Sequence, residues 1–228
     1  MPIKNMHFVP EHGLQIEETF DAKDHAGVFN LFRYWWAWAV ARDYDPSLIW
    51  DLCCGSGHGP RILAEQSEHT VVGFDVDPLA LNEARRQHVA ENLAFVTTNM
   101  DRVWEDPAFH EGMPSIVTCF EGIEFLSNRE LFFEQLLRCF SPETVFLFAT
   151  PCWEREAIDF EPDWKAQKIL YDFQTIRSLL YTYFNVVRHS RDRDFPMKPY
   201  LDKINDYVAG AGITVGDNLF YCAHPGDA

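Results

Sequence analysis

No run of about twenty apolar residues occurs in this 228-residue chain, so no segment reads as a membrane-spanning helix. The opening stretch, MPIKNMHFVPEHG, lacks the basic-then-apolar layout of a secretory leader, and the location expected on that ground is the cytoplasm. The six cysteines (Cys53, Cys54, Cys119, Cys139, Cys152 and Cys222) have no CxxC spacing, which argues against a zinc site or disulfide frame and for reduced thiols. No metal is expected. Positive charge is also scarce, with 19 Lys and Arg against 35 Asp and Glu and a formal net charge of −16. Sequence-independent nucleic-acid affinity comes from cationic side chains neutralising phosphates, so DNA and RNA are poor candidate partners. The small basic islands, Arg85-Arg86 and Arg188, Arg191, Arg193, read as solvated faces, the second being answered by Asp192 and Asp194. Internal repeats and low-complexity tracts are missing too, which leaves solenoids and disordered tails without support.

What is present is an alternation of short apolar runs with helical patterns, the signature of βαβ units and a parallel sheet. Strands are expected at Leu48 to Leu52, Thr70 to Phe74, Leu93 to Thr97, Ser115 to Phe120 and Thr144 to Ala149. A helix is expected from about Pro60, since proline suits a first turn, and another from Asp77-Pro78 to about Val89, with Asp77 as N-cap. Ser127-Asn128-Arg129-Glu130 reads as a capping box before a helix reaching Phe140. Later come a helix near Asp172 to Tyr181, a strand near Phe184 to His189 and a last strand at Leu219 to Ala223. Phe32, Tyr34, Trp35, Trp36 and Trp38 form an aromatic helical segment that suits packing against the sheet. Two irregular stretches, about 152–170 and 192–212, exceed ordinary connections and suit the substrate side. Trp153, Phe160, Trp164 and Tyr171 would line an acceptor pocket there.

The densest chemical signal is Asp51-Leu52-Cys53-Cys54-Gly55-Ser56-Gly57-His58-Gly59, lying between a strand and a helix where glycines let backbone approach a ligand. About twenty residues beyond the turn, the next strand ends in Gly73-Phe74-Asp75, a carboxylate placed to accept the ribose hydroxyls of an adenosine. Dinucleotide sites require G-x-G-x-x-G. Counted from Gly55 the sixth position is Pro60, and from Gly57 it is Ile62, so neither frame completes that fingerprint. A nicotinamide oxidoreductase is therefore the weaker reading.

From about His25 to Pro151 the chain resembles the class I S-adenosylmethionine-dependent methyltransferases, in particular the type 11/12 group similar to ubiquinone-pathway O-methyltransferases. The family's L-D-x-G-C-G-x-G is met by Leu48-Ile49-Trp50-Asp51-Leu52-Cys53-Cys54-Gly55-Ser56-Gly57, with Cys53 in place of the first glycine. The family's E-x-x-E-H-L resembles Glu121-Gly122-Ile123-Glu124-Phe125-Leu126, where Phe125 replaces histidine, and its S-T-P resembles Ala149-Thr150-Pro151. The resemblance implies a doubly wound α/β fold with a mainly parallel seven-stranded sheet and an antiparallel edge hairpin. A helical cap segment at 1–46 would precede a donor-binding domain at 47–228.

S-adenosylmethionine is the implied cofactor. By resemblance Asp51 and the backbone at Cys53 hold its methionine amino group, Gly55 and Gly57 form the turn, Asp75 takes the ribose and Val76 lies on one adenine face. Asn99 or Asp101 would meet the adenine amino group, with Met100 beside it. Phe120 would line the same crevice, and His25 with Arg33-Tyr34 would form an element closing over it. The reaction implied is methyl transfer to oxygen or nitrogen of a small or medium polar metabolite. Methyl transfer from a sulfonium is an in-line displacement governed by positioning and water exclusion, so no protein nucleophile is needed. Glu121, Glu124 and His25 are the candidate bases, with His189 a further possibility. A catalytically silent binding or partner protein of the same fold is the alternative.

Overall fold

The computed structural model describes residues 6–9, 13–16, 25–45, 47–150, 152–153, 171–191 and 218–225. Apolar runs and helical segments alternate as the periodicity implies. β3 (Leu48–Leu52), α2 (His58–Glu65), β4 (Thr70–Asp75), α3 (Pro78–Gln87) and β5 (Leu93–Thr97) make two successive crossovers. Short 3₁₀ segments at Met100–Glu105 and Pro107–His110 lead to β6 (Ile116–Phe120), α4 (Arg129–Leu137) and β7 (Val145–Thr150). After a short parallel pairing of β8 (Cys152–Trp153) with β9 (Tyr171–Asp172), α5 (Phe173–Tyr183) precedes β10 (Phe184–Arg191) and β11 (Asn218–Pro225). Upstream lie a hairpin of β1 (Met6–Val9) and β2 (Gly13–Ile16) and the helix α1 (His25–Ala41).

Seven strands form the main sheet in the order β10-β11-β7-β6-β3-β4-β5. Pairings among β5, β4, β3, β6 and β7 are parallel, and β11 runs antiparallel to both β7 and β10. The chain builds outward from β3 to β5, then returns to place β6 on the other side of β3. Strand order therefore reverses between β3 and β6, and ligands of open α/β sheets bind at the carboxyl ends beside such a reversal.

Both faces of the sheet are buried, which explains why β6 and β7 are buried along their whole length. On one face Trp50 packs edge-on against Phe74 and Phe109 at 5.7 and 5.1 Å between ring centroids, among Phe133, Phe146 and Phe148. On the other face α1 lays Tyr34, Trp35 and Trp38 over Ile49, Leu63 and Leu147. The aromatic segment of α1 is thus mainly core, with Trp36 half-buried at its margin.

Three local expectations are corrected. Helix α2 starts at His58 rather than near Pro60, and proline in its third position is tolerated because the first four amides of a helix have no intrahelical acceptor. The N-cap of α4 is Asn128, whose side chain accepts from Leu131 N at 3.0 Å, so the Ser127 capping box does not form. Ser127 N donates instead to Asp101 Oδ1 at 3.0 Å, which ties the start of α4 to the end of β5. Helix α3 ends at Gln87, two residues early, because His88 turns extended. Its N-cap is Asp77, accepting from Leu79 N at 2.8 Å. The β1–β2 hairpin and the 3₁₀ segments had no counterpart in the expected elements.

Gly59 shows how tightly α1 sits on α2: a Cβ there would lie 1.9 Å from the Tyr34 ring. Helix propensity alone favours alanine by about 1 kcal/mol. Overpacking opposes it, so Gly59→Ala is expected to lower unfolding stability by about 1–3 kcal/mol in urea titrations. A variant as stable as the parent would mean that α1 can shift freely.

Candidate functional site

The carboxyl ends of β3 and β6 lie side by side, and each strand ends in a non-glycine residue with positive φ, Cys53 at 59° and Glu121 at 55°. This region of backbone space costs a residue with a Cβ roughly 1–2 kcal/mol, and such strain concentrates where ligands bind. Gly122 touches Cys53 so closely that a Cβ on it would lie 2.6 Å from both Cβ and Sγ of Cys53. The two strained turns are therefore packed against each other.

The glycines of the first turn divide the work. Gly55, at φ 54°, faces open space, with no atom of the described residues within 4 Å of the Cβ it lacks. Its amide donates to Asp75 Oδ2 at 2.7 Å, and Asp75 Oδ1 accepts from Asp77 N at 2.9 Å. Asp75 thus stands at the end of β4 on the rim of the crevice, tying its turn to that of β3. Gly57 serves close packing: a Cβ there would meet the Phe95 ring at 2.7 Å and Ala84 at 2.8 Å. Gly73 allows the same closeness beneath Cys54 and Pro60.

Behind the turn, Asp51 is fully buried. Tyr34 Oη donates to it at 3.0 Å, and Thr118 Oγ1 donates from the neighbouring strand. Burial pushes its carboxyl up to about 7, with the two hydrogen bonds partly offsetting that rise. Burial and the adjacent Asp51 also hold the Tyr34 hydroxyl well above its usual value. Asp51 therefore fixes α1, β3 and β6 together from beneath the turn. Arg33, one residue before Tyr34, is 2% exposed and reaches Glu121 Oε1 at 2.6 Å. Consecutive residues of α1 thus engage the ends of β3 and β6.

Other expected positions separate. Val76 is exposed just beyond Asp75, open to a flat apolar ligand surface. Asn99 is exposed, but its side-chain oxygen caps the following segment by accepting from Asp101 N at 2.9 Å. Asp101 is occupied at the start of α4. The side chain of Met100 is buried in the core, as is Phe120, whose ring meets Tyr34 edge-on at 5.0 Å. Neither side chain lines an open surface. Glu124 is 1% exposed and lies within the body of the protein, away from solvent. Among the candidate bases whose side chains are described, Glu121 is the one at the crevice, and it is ion-paired. His189 packs against Phe173 and Phe220 on the edge hairpin. The His25 side chain, Trp153, Tyr171, Phe160, Trp164 and the stretches 154–170 and 192–217 lie outside the described side chains.

Thr118 was not anticipated, although a lone hydroxyl inside the apolar run Val117-Thr118-Cys119 is the signal that a buried acceptor stands beside it. The Arg33–Glu121 pair, spanning 88 residues, carried no local signal.

Residues 49–143 match the family model described as a methyltransferase domain. An uncharacterised methyltransferase from Synechocystis sp. is 40% identical over 75 residues, covering 29% of this chain and 35% of the relative. The chain thus spans about a third of the length of that curated relative. Among solved structures, the complex between the Haloferax volcanii Trm112 methyltransferase activator and a protein described as a methyltransferase aligns with TM-score 0.64 and 18% identity, covering 90% of this chain and 96% of that one. The plantazolicin methyltransferase BpumL, bound to a triazolic desmethylplantazolicin analogue and S-adenosylhomocysteine, aligns with TM-score 0.63 and 14% identity over 90% of this chain and 88% of its own. The [4+2]-cyclase SpnF aligns with TM-score 0.60 and 14% identity over 85% and 82%. These likenesses establish the Rossmann-like methyltransferase fold. The domain match over residues 49–143 falls within the part of the chain that carries this fold.

The raised Asp51 carboxyl carries a consequence for stability. Its folded value lies above the unfolded one, so its contribution is complete below about pH 4 and is lost as pH rises through about 7. His58 and His88 lie edge to edge and are both pushed down by burial, so they oppose this trend over neighbouring pH values. Comparing Asp51→Asn with the parent isolates the carboxylate. The variant's stability relative to the parent is expected to climb between pH 4 and 8, by no more than about 4 kcal/mol. A difference that stays flat in pH-dependent denaturation would overturn the buried-carboxyl assignment.

Proposed function

We propose that the protein transfers the methyl group of S-adenosylmethionine to oxygen or nitrogen of a small or medium polar metabolite. The observation that carries this reading is Gly55, open to space above and held from the side by the Asp75 carboxylate. The carbonyl and amide of Cys53 would meet the methionine end, Asp75 the ribose hydroxyls, and Val76 with the exposed amide of Asn99 the adenine. When bound, the cofactor supplies an electrophilic methyl. The protein's share is to align donor and acceptor and to exclude water. In this reading residues 1–46 cap the domain formed by 47–228, and the stretches 152–170 and 192–212 belong to the acceptor side.

Because Glu121 is neutralised by Arg33 and Glu124 is buried, the reading favours an acceptor whose lone pair is available at neutral pH. A phenolate, carboxylate or unprotonated amine meets that condition without a protein base. The same scarcity of bases favours a second reading, a catalytically silent subunit that binds the donor or a partner. The activator-bound neighbour and the cyclase of similar fold show that the scaffold serves more than one role elsewhere.

Calorimetric titration with S-adenosylmethionine, S-adenosylhomocysteine and NAD separates these readings. Micromolar binding of the first two, and none of NAD, is expected. Asp75→Ala is expected to weaken S-adenosylhomocysteine at least about tenfold with an unchanged circular dichroism spectrum, the loss of a charge-assisted bidentate contact. Unchanged affinity would remove Asp75 from the ribose role, and donor binding without turnover on any acceptor class would favour the silent subunit.

A further inference from the structure

We propose that Cys53 and Cys119 form an oxidisable dithiol, a modification site whose closure to a disulfide by a peroxide shuts the cofactor crevice. The link to the cofactor rests on the function proposed above, while the dithiol rests on geometry alone.

The two thiols come from adjacent parallel strands. Cys119 is in register with Leu52, and Cys53 is the next residue along β3's chain. Parallel neighbours lie about 4.8 Å apart, which puts the Cα separation of such a diagonal pair inside the disulfide window of about 4.4–6.8 Å. The side chains converge as well. A Cβ on Gly122 would lie 2.6 Å from Cys53 Sγ and 3.1 Å from Cys119 Sγ. Both sulfurs therefore flank one point and are less than about 6 Å apart. The missing Cβ of Gly122 is what leaves room for this meeting. Cys54, although adjacent in sequence, points the other way, with its sulfur beneath Gly73 and facing the Gly55 carbonyl.

Exposure sets the order of events. Cys53 is half-buried on the rim, whereas Cys119 is fully buried. Peroxide therefore meets Cys53 first: its sulfur attacks one peroxide oxygen, forming a sulfenic acid and releasing water. Cys119 then attacks that sulfur and the hydroxyl leaves as a second water. In balance, two thiols become one disulfide and one peroxide becomes two waters. Cys119 is left the resolving role because it is sealed from solvent yet sits beside the Cys53 sulfur, with Gly122 leaving room between them. Closure draws the strained Cys53 turn toward β6 and fixes the backbone that is proposed to hold the methionine end.

The test treats the reduced, full-length protein with hydrogen peroxide, then blocks free thiols and maps peptides by mass spectrometry. A linkage between Cys53 and Cys119 is expected, with S-adenosylhomocysteine affinity falling by about tenfold or more and returning on reduction with dithiothreitol. Cys119→Ala should bind S-adenosylhomocysteine like the reduced parent and lose only the peroxide sensitivity of that binding. The peptide map of the parent protein keeps the proposal falsifiable even if that variant fails to fold. Linkage of Cys53 to Cys54, oxidation of Cys53 without linkage, or a Cys53–Cys119 bond that leaves affinity unchanged would each overturn it. Failure of the reduced protein to bind S-adenosylhomocysteine would count against the proposed function instead, and the peptide map would still decide the dithiol.

Discussion

A carboxylate with no access to water, Asp51, holds the site in its shape. Two hydroxyls stabilise it there, one from helix α1 and one from the next strand β6. Removing a charge from water costs several kcal/mol unless partners compensate, so the three elements cannot drift apart without leaving the carboxyl unsatisfied. The position is also where the strand order reverses, so the bracket closes beneath the one place where an open α/β sheet offers a crevice. Tyr34 could not reach Asp51 if Gly59 carried a side chain. The glycine on α2 and the tyrosine on α1 are thus two parts of one contact.

The same economy governs the turn above. Among the residues Gly55, Gly57, Gly59 and Gly73, only Gly55 faces space; the other three admit neighbouring side chains. A glycine-rich motif therefore mixes two physical demands. One is an exposed backbone, and the other is close packing of the turn and α2 against α1, α3, β4 and β5. The substitution of cysteine for the first glycine of the family pattern fits this division. Cys53 adopts the positive φ that glycine would take freely, and its side chain fills the gap left by Gly122.

Much of this architecture was legible in the chain because local periodicity and long-range packing agree. The runs at Leu48, Thr70, Leu93, Ser115 and Thr144 are short, apolar and mostly followed by helical patterns, so the strands and the order of elements follow from local signals, while the antiparallel edge came from the family resemblance. Errors arose where one residue type serves two purposes. Ser127 and Asn128 are both good caps, and the choice between them was made by Asp101, 26 residues upstream, which engages the Ser127 amide. Met100 and Phe120 were assigned to the crevice by position in a motif, yet their side chains turn inward, since motif spacing fixes the backbone and not the rotamer. Glu124, a candidate base by its place in the motif, is likewise buried.

The buried and paired acids bear directly on chemistry. A sulfonium donor carries its own electrophilic charge, so the demand on the protein is alignment in a dry, shaped space, and side-chain acids near the reacting atoms are useful only if a proton must move. Here the acid at the rim is engaged by Arg33 and the next one is sealed in the interior. Arg33 sits next to Tyr34, so the helix that neutralises Glu121 also secures Asp51. Any motion of α1 that opened the crevice would have to break both contacts at once, exposing one carboxylate and orphaning another. The position of α1, the charge at the crevice and the geometry of the two turns are consequently coupled through Arg33 and Tyr34.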